Sequence, residues 1–133
     1  MLQAAAEAHD IDPALLAAVG VYESQFSNKP EIGKGHGMGV FQLTNQPGVT
    51  AAQAYDLTFA ANYAANMLSD NESYLSNEFP AFTPDQLLQA TAASYNLGPY
   101  KFSGNPNTID VGSMPDGHYG SDVVDLMSCF QQP

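Results

Sequence analysis

The sequence reads as one mainly α domain with two long irregular loops. Three observations lead there. Its 133 residues match about one domain at roughly 150 residues each, enough to bury about two-thirds of the unfolded chain's surface. Apolar residues recur at helical spacing in most hydrophobic stretches. Clusters of Gly, Pro and Asn separate those stretches. No internal repeat or linker divides the chain, so a single domain is expected over residues 1–133.

Each element has a local cause. A short helix is expected over about residues 2–9. Asp12-Pro13 then supplies an N-cap followed by proline at the first helical position. The helix it opens should run over 14–26, with Leu15, Leu16, Val19 and Tyr22 on one stripe, until Asn28-Lys29-Pro30 stops it. Residues 31–49 have no helical period and hold five glycines, at 33, 35, 37, 39 and 48. Within them Val40-Phe41-Gln42-Leu43-Thr44 reads as a short strand-like or extended piece. Loops this long in compact domains usually carry function.

Asp56 is the next good N-cap. Leu57, Ala60, Ala61, Ala64, Met67 and Leu68 follow it at helical spacing, and the helix should reach Leu75 or beyond. Thr83-Pro84-Asp85-Gln86 has the spacing of a capping box, and its helix should run to about Tyr95, with Gly98 and Pro99 closing it. Residues 100–118 are polar and rich in turn formers. A last helix is expected over about 119–130, with Val123, Val124, Met127 and Cys129 as its apolar positions. Cys129, the single cysteine, reads as a buried thiol and excludes an intramolecular disulfide.

Charge narrows the function classes. Charged residues are 13% of the chain, half the usual ~25%. Fourteen acids face three lysines and no arginine, giving a net charge of −11. That balance argues against nucleic acid, whose phosphates need clustered cations, and against anionic lipid surfaces. No window approaches the ~18 consecutive apolar residues of a membrane span, so no membrane insertion is expected. The opening MLQAAAEAHD has neither the basic stretch nor the long apolar run of a secretory leader.

Glu23 stands out chemically. It falls in the last turn of an otherwise apolar helix, directly before the Gly-rich loop. That helix end carries partial negative charge, and apolar neighbours add desolvation. Both push a carboxyl pKa upward, as a general acid near neutral pH requires. By position alone, a solvated glutamate at a helix end is the plainer account.

Further segments change that weighting. Tyr22-Glu23-Ser24-Gln25-Phe26 resembles the Glu-Ser-x-Phe segment of the soluble lytic transglycosylase and goose-type lysozyme superfamily. Gly39-Val40-Phe41-Gln42-Leu43 is similar to its Gly-Leu-Met-Gln-hydrophobic strand, and Ser94-Tyr95-Asn96-Leu97-Gly98-Pro99 to its Ala-Tyr-Asn-Ala-Gly-Pro element. Tyr119 resembles the tyrosine that opens the family's closing helix, and Asp12-Pro13 through Tyr22 its lead-in. The order is right, and the match spans nearly the whole chain.

The resemblance implies a lysozyme-like α domain, with a small irregular or β-like segment after the catalytic helix and a groove for peptidoglycan glycan strands. It implies cleavage of the β-1,4 bond between N-acetylmuramic acid and N-acetylglucosamine, without a cofactor. Glu23 would protonate the leaving oxygen. Ser24, Phe41, Gln42, Thr44, Tyr95, Asn96 and Tyr119 would bind substrate or shape its groove, with Phe41 in place of the usual Met. Phe41 and Tyr119 read equally well as plain core residues, and for Asn96 a helix C-cap is the lesser alternative.

Two chemistries remain open. A glycosidase normally uses two carboxylates. Goose-type enzymes carry aspartates in the loop after the glutamate and after the Gly-Leu-Met-Gln strand. Here no aspartate lies between Glu23 and Asp56, and Thr44-Asn45 follows the strand. Glu31, eight residues after Glu23, is the loop's only acid and the candidate second acid. Gln42 follows Glu23 by 19 residues, a short interval that looks more like the transglycosylases. In those, one glutamate acts as acid then base, and the substrate's 6-hydroxyl closes a 1,6-anhydro ring. The reading therefore leans to a lytic transglycosylase. A hydrolase using Glu31 or Thr44 to place water, and a non-catalytic glycan-binding relative, are the alternatives.

No metal is expected. His9, His36 and His118 are far apart, and the aspartates at 10, 12, 116, 122 and 125 lack the spacing of a calcium loop. The resemblance places the protein where it can reach cell wall: secreted, at the cell surface or in the periplasm. The acidity is a departure, because walls are themselves anionic. A separate wall-binding domain outside this chain, or work in acid or salt, would each account for it.

Overall fold

The computed structural model describes residues 2–25, 38–43, 46 and 48–131. Among them are six α-helices, one 3-10 turn and no strand. Helix α1 spans Leu2–Ala8 and buries Ala5 and Ala6. It packs on α2, Pro13–Ser24. The Asp12 carboxylate accepts from the Ala14 N–H at 2.8 Å, with Pro13 in the first turn where its missing N–H costs nothing. Residues 14–20 of α2 are all buried, so the helix is covered on every side rather than along one stripe. Its alanines and Gly20 make that close approach possible.

Helix α2 ends at Ser24, because Gln25 turns left-handed at φ 55° and returns its N–H to the Val21 carbonyl at 2.8 Å. The expected end, Phe26, lies outside the described residues. Residues 39–42 form turns instead of the expected strand-like piece. Gln42 N–H bonds the Gly39 carbonyl at 3.2 Å, and Leu43 N–H bonds Met38 O at 3.1 Å. Gly39 at φ 75° and Gln42 at φ 50° are incompatible with an extended run.

Helix α3, Ala51–Tyr55, was not anticipated, although Thr50 and Gln53 form a full capping box at its start. Helix α4, Leu57–Glu78, begins where the Asp56 carboxylate accepts from Phe59 N–H at 3.2 Å. It buries Ala60, Ala61, Ala64, Ala65, Leu68 and Leu75. Helix α5, Pro84–Leu97, opens on the anticipated box: Gln86 N–H to Thr83 Oγ1 at 3.2 Å, and Thr83 N–H to Gln86 Oε1 at 2.9 Å. Gly98 closes it at φ 81°. A 3-10 turn, Pro106–Thr108, precedes α6, Tyr119–Met127.

Helix α6 stops short of residue 130. Cys129 and Phe130 return their N–H groups to Leu126 and Met127 in three-residue turns. The apolar stripe therefore ends at Met127, and Cys129 is exposed rather than buried.

The chain divides into two compact units within α4, after Ala65. The first has Leu15, Leu16, Val19, Val40, Phe41 and Leu43 at its centre. In the second, Leu75, Ala90, Ala93 and Ile109 are sealed by Phe79, Phe82, Leu87, Leu97 and Phe102. Buried Asn71 donates to Ser94 Oγ at 2.9 Å, joining α4 to α5, and α5 packs on α6. No described helix is long and apolar enough to cross a membrane.

Candidate functional site

The expected site residues fall into two groups, one in each unit. In the first, Glu23 is half-buried in the last turn of α2. The next residue, Ser24, places its hydroxyl 2.6 Å from the Val40 carbonyl and 3.2 Å from the Gly20 carbonyl. It donates to the main chain and so ties the glutamate's turn of helix to residues 39–42. Phe41 beside Val40 is fully buried. Gln42 is half-buried, and its Nε2 donates to the Gly39 carbonyl at 2.7 Å. A non-glycine residue at φ 50° stores roughly 1–2 kcal/mol of strain. Such residues collect at functional sites.

The second group is organised around residues 110–118. Tyr95 is half-buried near the end of α5, and Asn96 after it is exposed. Asn96 Oδ1 accepts from Met114 N–H at 2.8 Å, so this side chain holds a loop rather than capping its own helix. One residue earlier, Ser113 Oγ accepts from Tyr119 N–H at 3.1 Å. Two anticipated residues thus grip adjacent positions of one loop. The Tyr119 side chain is itself buried. Thr44 and Glu31 lie outside the described residues.

Asp110 was missed by the sequence reading. It is buried, and its carboxylate accepts from Gly120 N–H at 2.5 Å, Ser121 N–H at 3.0 Å and Gln89 Nε2 at 2.7 Å. Helix α6 has no side-chain cap of its own. A carboxylate ten residues upstream performs that task, satisfying donors the first turn leaves open. Gly120 is required there: a Cβ would sit 2.6 Å from the Gln89 carbonyl and 2.7 Å from Asp110 Oδ1. A cap so distant has no sequence signature.

No three His, Cys, Asp or Glu side chains among the described residues gather as metal ligands. Asp12 caps α2, and Asp116 accepts from His118 N–H at 3.2 Å. A depression of about 240 Å³ is lined by Glu72, Ser73, Ser76, Asn77 and Leu87 and includes none of the anticipated site residues.

The family model described as Lysozyme g matches residues 1–132. The chain belongs to the lysozyme g family. A lysozyme g from Epinephelus coioides is 31% identical over 130 aligned positions, covering 87% of this chain. The same alignment takes in 65% of that relative, so the chain spans just under two-thirds of its length. Membership in the lysozyme g family agrees with the order of motifs from Asp12-Pro13 to Tyr119 and with the mainly helical architecture.

Proposed function

We propose that this chain is a muramidase domain spanning residues 1–133. It cleaves the β-1,4 bond between N-acetylmuramic acid and N-acetylglucosamine in peptidoglycan, outside the cytoplasm. The observation that carries this reading is Glu23 itself. A half-buried carboxyl stands at the end of a buried helix, and its neighbour Ser24 is bonded to the turn that holds Gln42, in a chain of the lysozyme g family.

In this mechanism the Glu23 carboxyl gives its proton to the glycosidic oxygen as the bond to the muramyl C1 breaks. The resulting carboxylate then accepts the proton of the muramyl 6-hydroxyl, whose oxygen bonds to C1. The product ends in a 1,6-anhydro ring, and no water is consumed. The absence of aspartate between Glu23 and Asp56 favours this one-carboxylate route. The name of the matched relative favours the second reading, in which water attacks C1 and leaves a reducing end. There Glu31 or Thr44 would hold the water. Gln42, beside the Glu23 turn, is the side chain of the first unit assigned to orient the sugar, with buried Phe41 supporting its turn. In the second unit Tyr95 and Asn96 are assigned to sugar binding, with buried Tyr119 supporting them.

Mass spectrometry of soluble products from purified peptidoglycan tests both readings. Anhydromuramyl products, lighter by one water, support the one-carboxylate route, and reducing ends support hydrolysis. Glu23→Gln should lose at least about 10³-fold in rate, within the range of lost general-acid catalysis, with an unchanged circular dichroism spectrum. A variant keeping most of its turnover removes Glu23 from this role.

A further inference from the structure

Most large apolar side chains of the second unit are covered, but Tyr100 is 78% exposed. It lies just past the Gly98 turn that closes α5, four residues from Asn96. Tyr74 of α4, itself 36% exposed, meets it edge to face, with ring centroids 4.9 Å apart and planes at 80°. Such a contact fixes the two rings without covering them. An isolated surface tyrosine would rotate freely, whereas this one is held in place before any ligand arrives, which lowers the ordering cost of binding.

The chemistry of the pair selects its ligand. A tyrosine offers an apolar face with negative quadrupole and a hydroxyl at its rim. An N-acetylhexosamine ring is its complement: a face of C–H bonds with slight positive charge, edged by hydroxyl and acetamido groups. At a net charge of −11 the protein gains little by long-range attraction to an anionic wall. A neutral stacking contact is independent of that charge and of salt.

We propose that Tyr74 and Tyr100 form a stacking platform for an N-acetylhexosamine unit of the glycan strand. This rests on the muramidase reading above and names a sugar contact made by the second unit. Tyr100 supplies the stacking face, and Tyr74 acts as its brace.

The test is calorimetric titration of the full chain with a β-1,4-linked N-acetylglucosamine hexamer, in the cold, beside Tyr100→Ala, Tyr100→Phe and Phe130→Ala. Phe130 is another exposed aromatic, outside the platform. Tyr100→Ala should bind about tenfold more weakly, equivalent to about 1.4 kcal/mol. Tyr100→Phe and Phe130→Ala should stay within about twofold, and the weakening should persist at raised salt. Unchanged binding by Tyr100→Ala, while the parent chain binds, overturns the platform and leaves the muramidase reading standing. Equal weakening by Phe130→Ala overturns it as nonspecific adhesion. A change in sedimentation without a change in hexamer affinity overturns it in favour of self-association. No binding by the parent chain, together with no products from peptidoglycan, overturns both readings.

Discussion

The two groups of candidate residues are built in opposite ways. In the first unit three residues occupy the left-handed region without being glycine: Asp10 at φ 57°, before α2, and Gln25 at φ 55° and Gln42 at φ 50°, on either side of the Ser24 tie. From residue 66 onward, the left-handed positions at 98, 104, 112 and 117 are all glycine. The second group is instead held by side-chain bonds from Asp110, Asn96 and Ser113. Strain in the unit that carries the carboxyl expected to react, and a relaxed hydrogen-bonded scaffold in the other, fits the tendency of strained backbone to collect where chemistry needs it.

The largest stability effect should come from the scaffold. Asp110→Ala strands the buried Gly120 N–H and the half-buried Ser121 N–H and Gln89 Nε2. A loss of about 3 kcal/mol is expected from donors bonded to a charged partner, read as a lower urea midpoint with an unchanged slope. Asp110→Asn keeps one acceptor oxygen and the shape, and should lose about half as much. A loss below about 1 kcal/mol would mean that water replaces the carboxylate and that the second region is not braced as described.

Ser24→Ala probes the other side of the comparison. It removes the bonds to Val40 O and Gly20 O, at a cost of about 1 kcal/mol. Turnover should fall by more than that stability change implies, because Ser24 registers the Glu23 turn against residues 39–42. Ser24→Thr, which keeps the hydroxyl, should restore most of the turnover. If Ser24→Ala shifts the urea midpoint while kcat and KM stay at the parent values, Ser24 is a structural tie alone.

The same contrast explains what the sequence made legible. Features set by neighbours within four residues were readable. Asp12-Pro13 opened α2, Asp56 opened α4, and Thr83 with Gln86 opened α5, because caps are local chemistry. Thr50 and Gln53 carry the same signature, but the helix they open is only five residues long, too short to show a helical period. Asp110 could not be found this way, since its partners lie 10, 11 and 21 residues distant. The all-round burial of α2 was hidden because alanine fits a core face and an open face alike. The strand expected after Gly39 failed on two backbone angles that no side-chain pattern encodes. Motif order put Glu23 and Gln42 among the candidate residues. That Asn96 and the Tyr119 backbone hold one loop depends on bonds across 18 and six residues, which motif order does not encode.

Gln42→Gly is the smallest expected change in stability and the sharpest test of the strained side. Glycine removes about 1–2 kcal/mol of left-handed strain. Against that it loses the Nε2 bond to Gly39 O, worth about 1 kcal/mol, and adds freedom to the unfolded chain worth about 0.4–1 kcal/mol. These contributions nearly cancel, so the urea midpoint should stay within about 1 kcal/mol of the parent. Turnover should still fall about a hundredfold, the lower end of what losing a preorganised polar group costs. A Gln42→Gly chain equal to the parent in both respects would make residue 42 an ordinary turn position. The left-handed angle would then be local geometry, and the contrast between a strained and a relaxed region would carry no functional meaning.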